Sequence, residues 1–211
     1  MRAGFGRIAS TAHSVRHFSE LVRFLSVFFV YSMGLTSVIA FAGIFAERTL
    51  HFTSSEVVYL FIALQLTSAG GAFLFGFLQD RMGASRTIQI TLVIWILVCV
   101  GVYFCETKAL FWWLALGAGL GIGSLQSASR GLVGLFSPPE KSGEFFGFWG
   151  LAGKGAYMLG PFIFGLISTA TGSQRVAILS TALFFIAGLI GMAFVNEKRG
   201  HEEAASWKEG R

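Results

Sequence analysis

Six runs of apolar residues, at about 22–46, 56–78, 87–104, 109–133, 144–170 and 175–195, set what this chain can fold into. Each is about long enough to cross the roughly 30 Å hydrocarbon core of a bilayer as a helix, the third and sixth with little tilt. None shows the apolar/polar alternation over about ten residues that a lipid-facing barrel strand needs, so the spans are helices. Hydrophobic residues make up 54% of the chain and charged residues 13%, against about 25% charge in ordinary soluble domains. The mean hydropathy is +0.68. The prediction is an all-α membrane protein with six transmembrane helices. The first run is too long for a secretory signal and lacks a cleavage pattern, so it stays as a membrane helix.

The loops order the chain in the membrane, because short loops rich in lysine and arginine stay cytoplasmic. One side collects Arg2, Arg7, Arg16, Arg23, Arg81, Arg86, Arg130, Lys141, Lys198, Arg199, Lys208 and Arg211, and the other holds only Arg48, Lys108 and Arg175. Both termini are therefore expected in the cytoplasm. The division is a lead-in at 1–21, a bundle at 22–195 and a charged tail at 196–211 whose only large apolar residue is Trp207. Topology already accounts for the net charge of +5, which leaves nucleic acid without a claim as partner. Cys99 and Cys105 make neither a disulfide framework nor a metal site and read as small apolar fillers. No cofactor or metal is expected.

The one remaining cation, Lys154, lies inside the fifth run. Counted from a helix start at Ser142 or Glu144, it sits roughly 15 to 18 Å deep at about 1.5 Å per residue, close to the bilayer midplane. A charge that deep is costly and marks function. Around it Gly147, Gly150, Gly153, Gly155 and Gly160-Pro161 weaken the helix; broken or kinked helices line transport sites, and a tightly packed helix is the alternative. In the fourth run Gly117 with Gly121 and Gly119 with Gly123 form two small-xxx-small pairs, which marks a central, closely packed helix. Ser137-Pro138-Pro139-Glu140 then separates four helices from two.

The main remaining polar residues within the spans are Gln65, Gln126, Ser127 and Ser129. Gln126 reads either as a solute contact or as an interhelical bond. Arg130 reads either as a partner for Glu144 across the proline loop or as a headgroup anchor. Catalytic sets are missing. Gly153-Lys154-Gly155 is not a phosphate loop, since Phe148 and Gly155 occupy positions that need glycine and a hydroxyl. A serine hydrolase at Gly121-Ile122-Gly123-Ser124 lacks a base, as His13, His17, His51 and His201 fall outside the spans.

The turn Gly76-Phe77-Leu78-Gln79-Asp80-Arg81-Met82-Gly83-Ala84-Ser85-Arg86 resembles the loop signature of the major facilitator superfamily. There the Asp and Arg belong to a charge network that latches cytoplasmic helix ends, and Asp80 is suited to pair with a nearby arginine and to cap a helix. Gln126-Ser127-Ala128-Ser129-Arg130, Glu144-Phe145-Phe146-Gly147-Phe148, Gly153-Lys154, Gly160-Pro161 and Thr171-Gly172-Ser173-Gln174-Arg175 resemble the C-terminal half of its vacuole-effluxer-like branch, named for the autophagy-related vacuolar amino-acid exporter of fungi. The resemblance covers nearly the whole chain. It implies export or exchange of amino acids or similar small solutes, with Lys154, Gln126 and Ser127 as substrate or coupling residues and Asp80, Arg81, Arg86, Arg130 and Glu144 as the latch.

The chain departs from the branch in one place. Where relatives often carry Asn-Asp before a glycine, it has Tyr31-Ser32-Met33-Gly34, with no acidic group, and Glu144 at a helix start is a poor substitute. The expected whole is half of a twelve-helix carrier, built from two inverted three-helix repeats at about 22–104 and 109–195, with substrate between halves. The missing half is then a separate N-terminal six-helix protein, a second copy, or a part of the same protein. The rival is a non-transporting membrane subunit or truncated product in which Lys154 pairs within the bundle. A cell (inner) membrane is the expected location.

Overall fold

A computed structural model describes residues 18–207. Arg2, Arg7, Arg16, His13 and His17 of the lead-in, and Lys208 and Arg211 of the tail, lie outside the described residues. The helices are α1 (Ser19–Leu50), α2 (Ser54–Met82), α3 (Ala84–Tyr103), α4 (Lys108–Leu135), α5 (Ser142–Thr171), α6 (Gln174–Ala193) and a short α7 (Glu197–Ala205), with one 3₁₀ turn at Pro139–Lys141 before α5. The first six are each long and apolar enough to span a membrane.

Several helices outrun their apolar cores because polar residues outside the core do the capping. Thr53 and Glu56 form a reciprocal capping box at the start of α2, which satisfies two amides that have no helical partner. Thr107, Ser173 and Asn196 accept backbone N–H bonds at the starts of α4, α6 and α7. Between α2 and α3 the chain turns at Gly83, whose φ of 89° suits glycine.

Of the readings open for α5, a break is not seen. The helix runs unbroken from Ser142 to Thr171 through its glycines and through Pro161. Pro161 removes one donor to the previous turn. A spanning segment has no water to replace lost backbone bonds, so the remaining helical bonds keep their geometry.

The principal packed pairs are α2 on α4, α4 on α3, α3 on α6, α6 on α1 and α1 on α5, while α1 and α4 scarcely touch. The helices thus form a curved file with α2 and α5 at its free ends and α3 and α6 at its back. The pairing is unchanged when α1, α2 and α3 are exchanged for α4, α5 and α6. The two repeats run in opposite senses. Ser19 at the start of α1 donates to Glu203 of α7, whereas Lys108 at the start of α4 meets Glu56 at the far end, Nζ to Oε2 2.7 Å.

Each repeat's second helix crosses the other's first at a glycine. A Cβ on Gly71 of α2 would collide with the Leu120 carbonyl of α4 and lie 2.7 Å from its Cα; one on Gly160 of α5 would collide with the Met33 carbonyl of α1 and lie 2.9 Å from its Cα. Gly71 and Gly160 stand 89 positions apart in the chain, and Met33 and Leu120 stand 87 apart. One packing rule therefore serves both repeats. The expected glycine ladder of α4 divides by face: Gly119 and Gly123 press on the α2 backbone or Thr67, while Gly121 faces Trp95 of α3, and Gly117 has only ordinary contact, 3.9 Å, with Val98.

One end of the bundle is closed by α7, and carboxylates do the closing. Glu197 accepts from the amides of Ala84 (3.2 Å) and Ser85 (2.9 Å) at the start of α3, where a negative charge complements the helix dipole. Buried Glu20 accepts from Arg23 (2.7 Å) and from the Asn196 amide (2.8 Å). Glu203 holds Arg199 at 3.3 Å. This end gathers the start of α1, the α2–α3 turn, the proline loop and α7, so most of the basic segments share one face of the bundle, with Arg48, Lys108 and Arg175 in or beside the segments of the other.

Candidate functional site

Because α1 and α4 barely touch, an opening lies between them, flanked by α2 and α5 and closed behind by α3. Its larger cavity, about 250 Å³, is walled by apolar side chains including Phe45, Phe61, Trp95 and Phe111, and its only two amide side chains are Gln65 and Gln126. A second cavity of about 210 Å³ is lined by Tyr31, Ser32, Thr36, Gln126, Ser129, Trp149, Gly150 and Gly153. Gln126 borders both. Neither glutamine has a side-chain hydrogen bond among the described residues, so the interhelical reading of Gln126 finds no partner there.

Between the cavities α1 and α4 are tied at one buried point. The Tyr31 hydroxyl lies 2.7 Å from Ser129 Oγ, and the Ser129 hydroxyl donates to the Leu125 carbonyl. That chain makes Tyr31 the donor to Ser129. Nearby, Trp149 is tilted on Phe28 at 5.5 Å and lies under the Arg130 guanidinium at 5.6 Å.

Lys154 is exposed and has no hydrogen bond or ion pair among the described residues. It follows Gly150 and Gly153 of the second cavity on α5, and a Cβ added at Gly143, Gly147, Gly150 or Gly165 would meet nothing within 4 Å. The face carrying Lys154 is therefore uncovered. Lys154 stands six residues before the Gly160 crossing and Gln126 six residues after the Leu120 crossing, about 9 Å along each axis. Since α4 runs toward α7 and α5 runs away from it, both lie on the α7 side of the crossings. Ser127, half-buried, is the next residue on α4.

The predicted latch residues are spread over the α7 end. Arg81 stacks on Phe77 at 4.4 Å, Arg86 lines a groove with Asn196, Glu197 and His201, and Asp80 and Glu144 are exposed. The α3 amides expected to suit Asp80 are taken by Glu197. The reading of the sequence also missed Glu20, Glu203, Tyr31 and Trp149. Their only sequence signals were an acidic residue at the first helix's start, charges in a polar tail, and aromatics among many.

The fold is therefore a bundle of six spanning helices around an opening, edged by an exposed lysine and two amides that have no side-chain partner among the described residues. Two solved structures share the fold. The major facilitator superfamily transporter FucP in its outward conformation aligns with a TM-score of 0.67 at 16% identity, covering 90% of this chain and 44% of that one. A bacterial homolog of the human lysosomal transporter Spinster, inward-facing, gives 0.64 at 14% identity, covering 94% and 52%.

Sequence relatives narrow this further. The chain is 30% identical over 194 residues to the MFS-type transporter YxiO of Bacillus subtilis, covering 92% of this chain and 45% of that protein. It is 26% identical over 201 residues to autophagy-related protein 22 of Saccharomyces cerevisiae strain S288c, covering 90% and 38%. The family described as vacuole effluxer Atg22 like matches residues 1–205, and the chain belongs to that family. It spans less than half the length of these relatives. The chain is thus a membrane protein that belongs to a transporter family.

Proposed function

We propose that the chain is one half of a secondary transporter that moves a small solute, amino acids being the first class to test, by alternating access. The observation that carries this is the uncovered opening with Lys154 and Gln126 at one level, in a chain less than half as long as relatives that share its family. A second six-helix bundle, separate or a second copy, completes the opening. Lys154 binds an anionic group of the solute or couples its charge, and Gln126 and Ser127 supply neutral hydrogen bonds. Asp80, Arg81, Arg86, Arg130 and Glu144 latch the α7 end, which faces the cytoplasm in a cell membrane. The rival reading requires Lys154 to pair inside the bundle, and its exposure favours transport.

The test is uptake of a radiolabelled amino-acid mixture by proteoliposomes carrying the chain or its K154A variant at equal inserted amounts. Loss of uptake in the variant alone supports the role, and equal uptake removes it. The mass of the complex in nanodiscs completes the test. A dimer, or a pair with another six-helix protein, supports a shared cavity; a stable monomer shows that the cavity needs the rest of a longer protein.

A further inference from the structure

The repeat symmetry assigns Lys154 a counterpart. Lys154 precedes its crossing glycine, Gly160, by six residues. Six residues before the other crossing glycine, Gly71, stands Gln65. Equal spacing on an α-helix means equal rotation, about 120° from the contact line, and equal height, about 9 Å from the crossing. The repeats run in opposite senses, so the two residues fall on opposite sides of their own crossings, each about 9 Å away along its helix. Lys154 lies toward α7 and Gln65 lies away from it.

Gln65 also faces the right space. It is exposed, it borders the 250 Å³ cavity, and its amide has no partner among the described residues. A glutamine in a spanning helix ordinarily bonds a neighbouring helix; here α4 lines the shared cavity mainly with Leu114, Ala115, Ala118 and Ile122, which offer no side-chain partner, and the amide is left for a ligand. Trp95, in the same cavity wall, has a buried indole N–H that is likewise unpartnered among the described residues. The aromatic wall has no charge, so this station suits a neutral hydrogen-bonding group of the solute, whereas Lys154 suits an anionic one.

We propose that Gln65 forms a second solute-binding station, on the side of the bundle away from α7, occupied when the solute is not held at Lys154. This rests on the transport reading above. In alternating access, inverted repeats serve the two faces in turn around a midplane site. A residue at the equivalent position of the other repeat then meets the solute on the other face. One station is charged and the other neutral, so release toward Gln65 exchanges a strong ionic hold for a weaker one.

Accessibility separates the two claims. Single cysteines at 65, 66 and 154 are labelled in vesicles of known orientation with a membrane-impermeant sulfonated methanethiosulfonate; the native Cys99 and Cys105 are buried and give little background. Expected is labelling of Q65C from the side away from α7 at least tenfold faster than L66C, whose position is 71% exposed and lines a shallow apolar groove with Gln65 but not the 250 Å³ cavity, and labelling of K154C from the α7 side. Q65C no faster than L66C, with K154C reactive, overturns the station and leaves the transport reading standing. Silence at both positions overturns both.

Uptake of the labelled amino-acid mixture then tests binding. Q65L should raise the half-saturating concentration at least fivefold at unchanged maximal rate, the size expected for one lost hydrogen bond, and Q65N should recover to within twofold. A lower maximal rate at unchanged half-saturation overturns the binding role.

Discussion

The two crossing pairs, α2 with α4 and α1 with α5, obey one symmetry and are built to different tightness. In α2 with α4 three glycines, Gly71, Gly119 and Gly123, bring the two helices almost into backbone contact. In α1 with α5 only Gly160 does so. At the place equivalent to Gly123, 87 positions earlier, α1 carries Thr36, whose hydroxyl lies 2.8 Å from the Ser32 carbonyl of its own helix and 3.2 Å from the Ala156 carbonyl of α5, sharing its proton between them. The first pair is welded and serves as frame. The second is fastened at one glycine and one hydroxyl, and the helix it holds carries Lys154 and the open glycines. Charge sits on the less constrained helix, where a solute or a second bundle has access to it.

The largest expected effect separates function from frame. Lys154→Ala should lower solute uptake by an order of magnitude or more while thermal unfolding in detergent shifts little, since the side chain has no partner to lose among the described residues; a large loss of stability would show that the lysine belongs to the frame. Gly123→Ala should do the reverse, lowering stability by about 3 kcal/mol, the upper range for overpacking, because the Ser68 carbonyl blocks the new methyl and Gly119 and Gly71 pin the helices on either side. Gly160→Ala meets the same kind of obstacle at a single fastening, and about 2 kcal/mol is expected in the same assay. Thr36→Val removes one hydrogen bond and should cost about 1 kcal/mol. Gly150→Ala, facing open space, should stay within about 0.5 kcal/mol. A large loss there in nanodiscs but not in dilute detergent would show a second bundle seated on α5.

The apolar runs made all six spans legible, since a stretch of that length in lipid has one satisfactory backbone geometry. The same physics explains where the reading stopped short. Glycine and proline content left α5 open between a broken or kinked helix and a closely packed one, and its continuity could not be read from composition, because propensity yields to the cost of unpaired backbone groups in hydrocarbon. The ladder in α4 was legible as a packing device, though not which of its faces was welded, because that depends on the pairing of α4 with both α2 and α3. Lys154 stood out as a buried-depth cation. Gln65 was visible only as a polar residue in a span, for its significance lies in a symmetry that appears once Gly71 and Gly160 are seen at equivalent crossings. The closing network escaped altogether: Glu20, Glu197 and Glu203 are ordinary charges in sequence, and α7 docks through their tertiary bonds together with a face of only two small residues, Gly200 and Ala204.

The carboxylate of Glu197 gives the molecule a schedule. It is joined to the ribosome 113 positions after Ala84, whose amide it accepts, so α3 is inserted long before its opening turn is finished. All six spans have been synthesised by then. Until the short polar helix that carries Glu197 arrives, the amides of Ala84 and Ser85 lack the carboxylate that caps them.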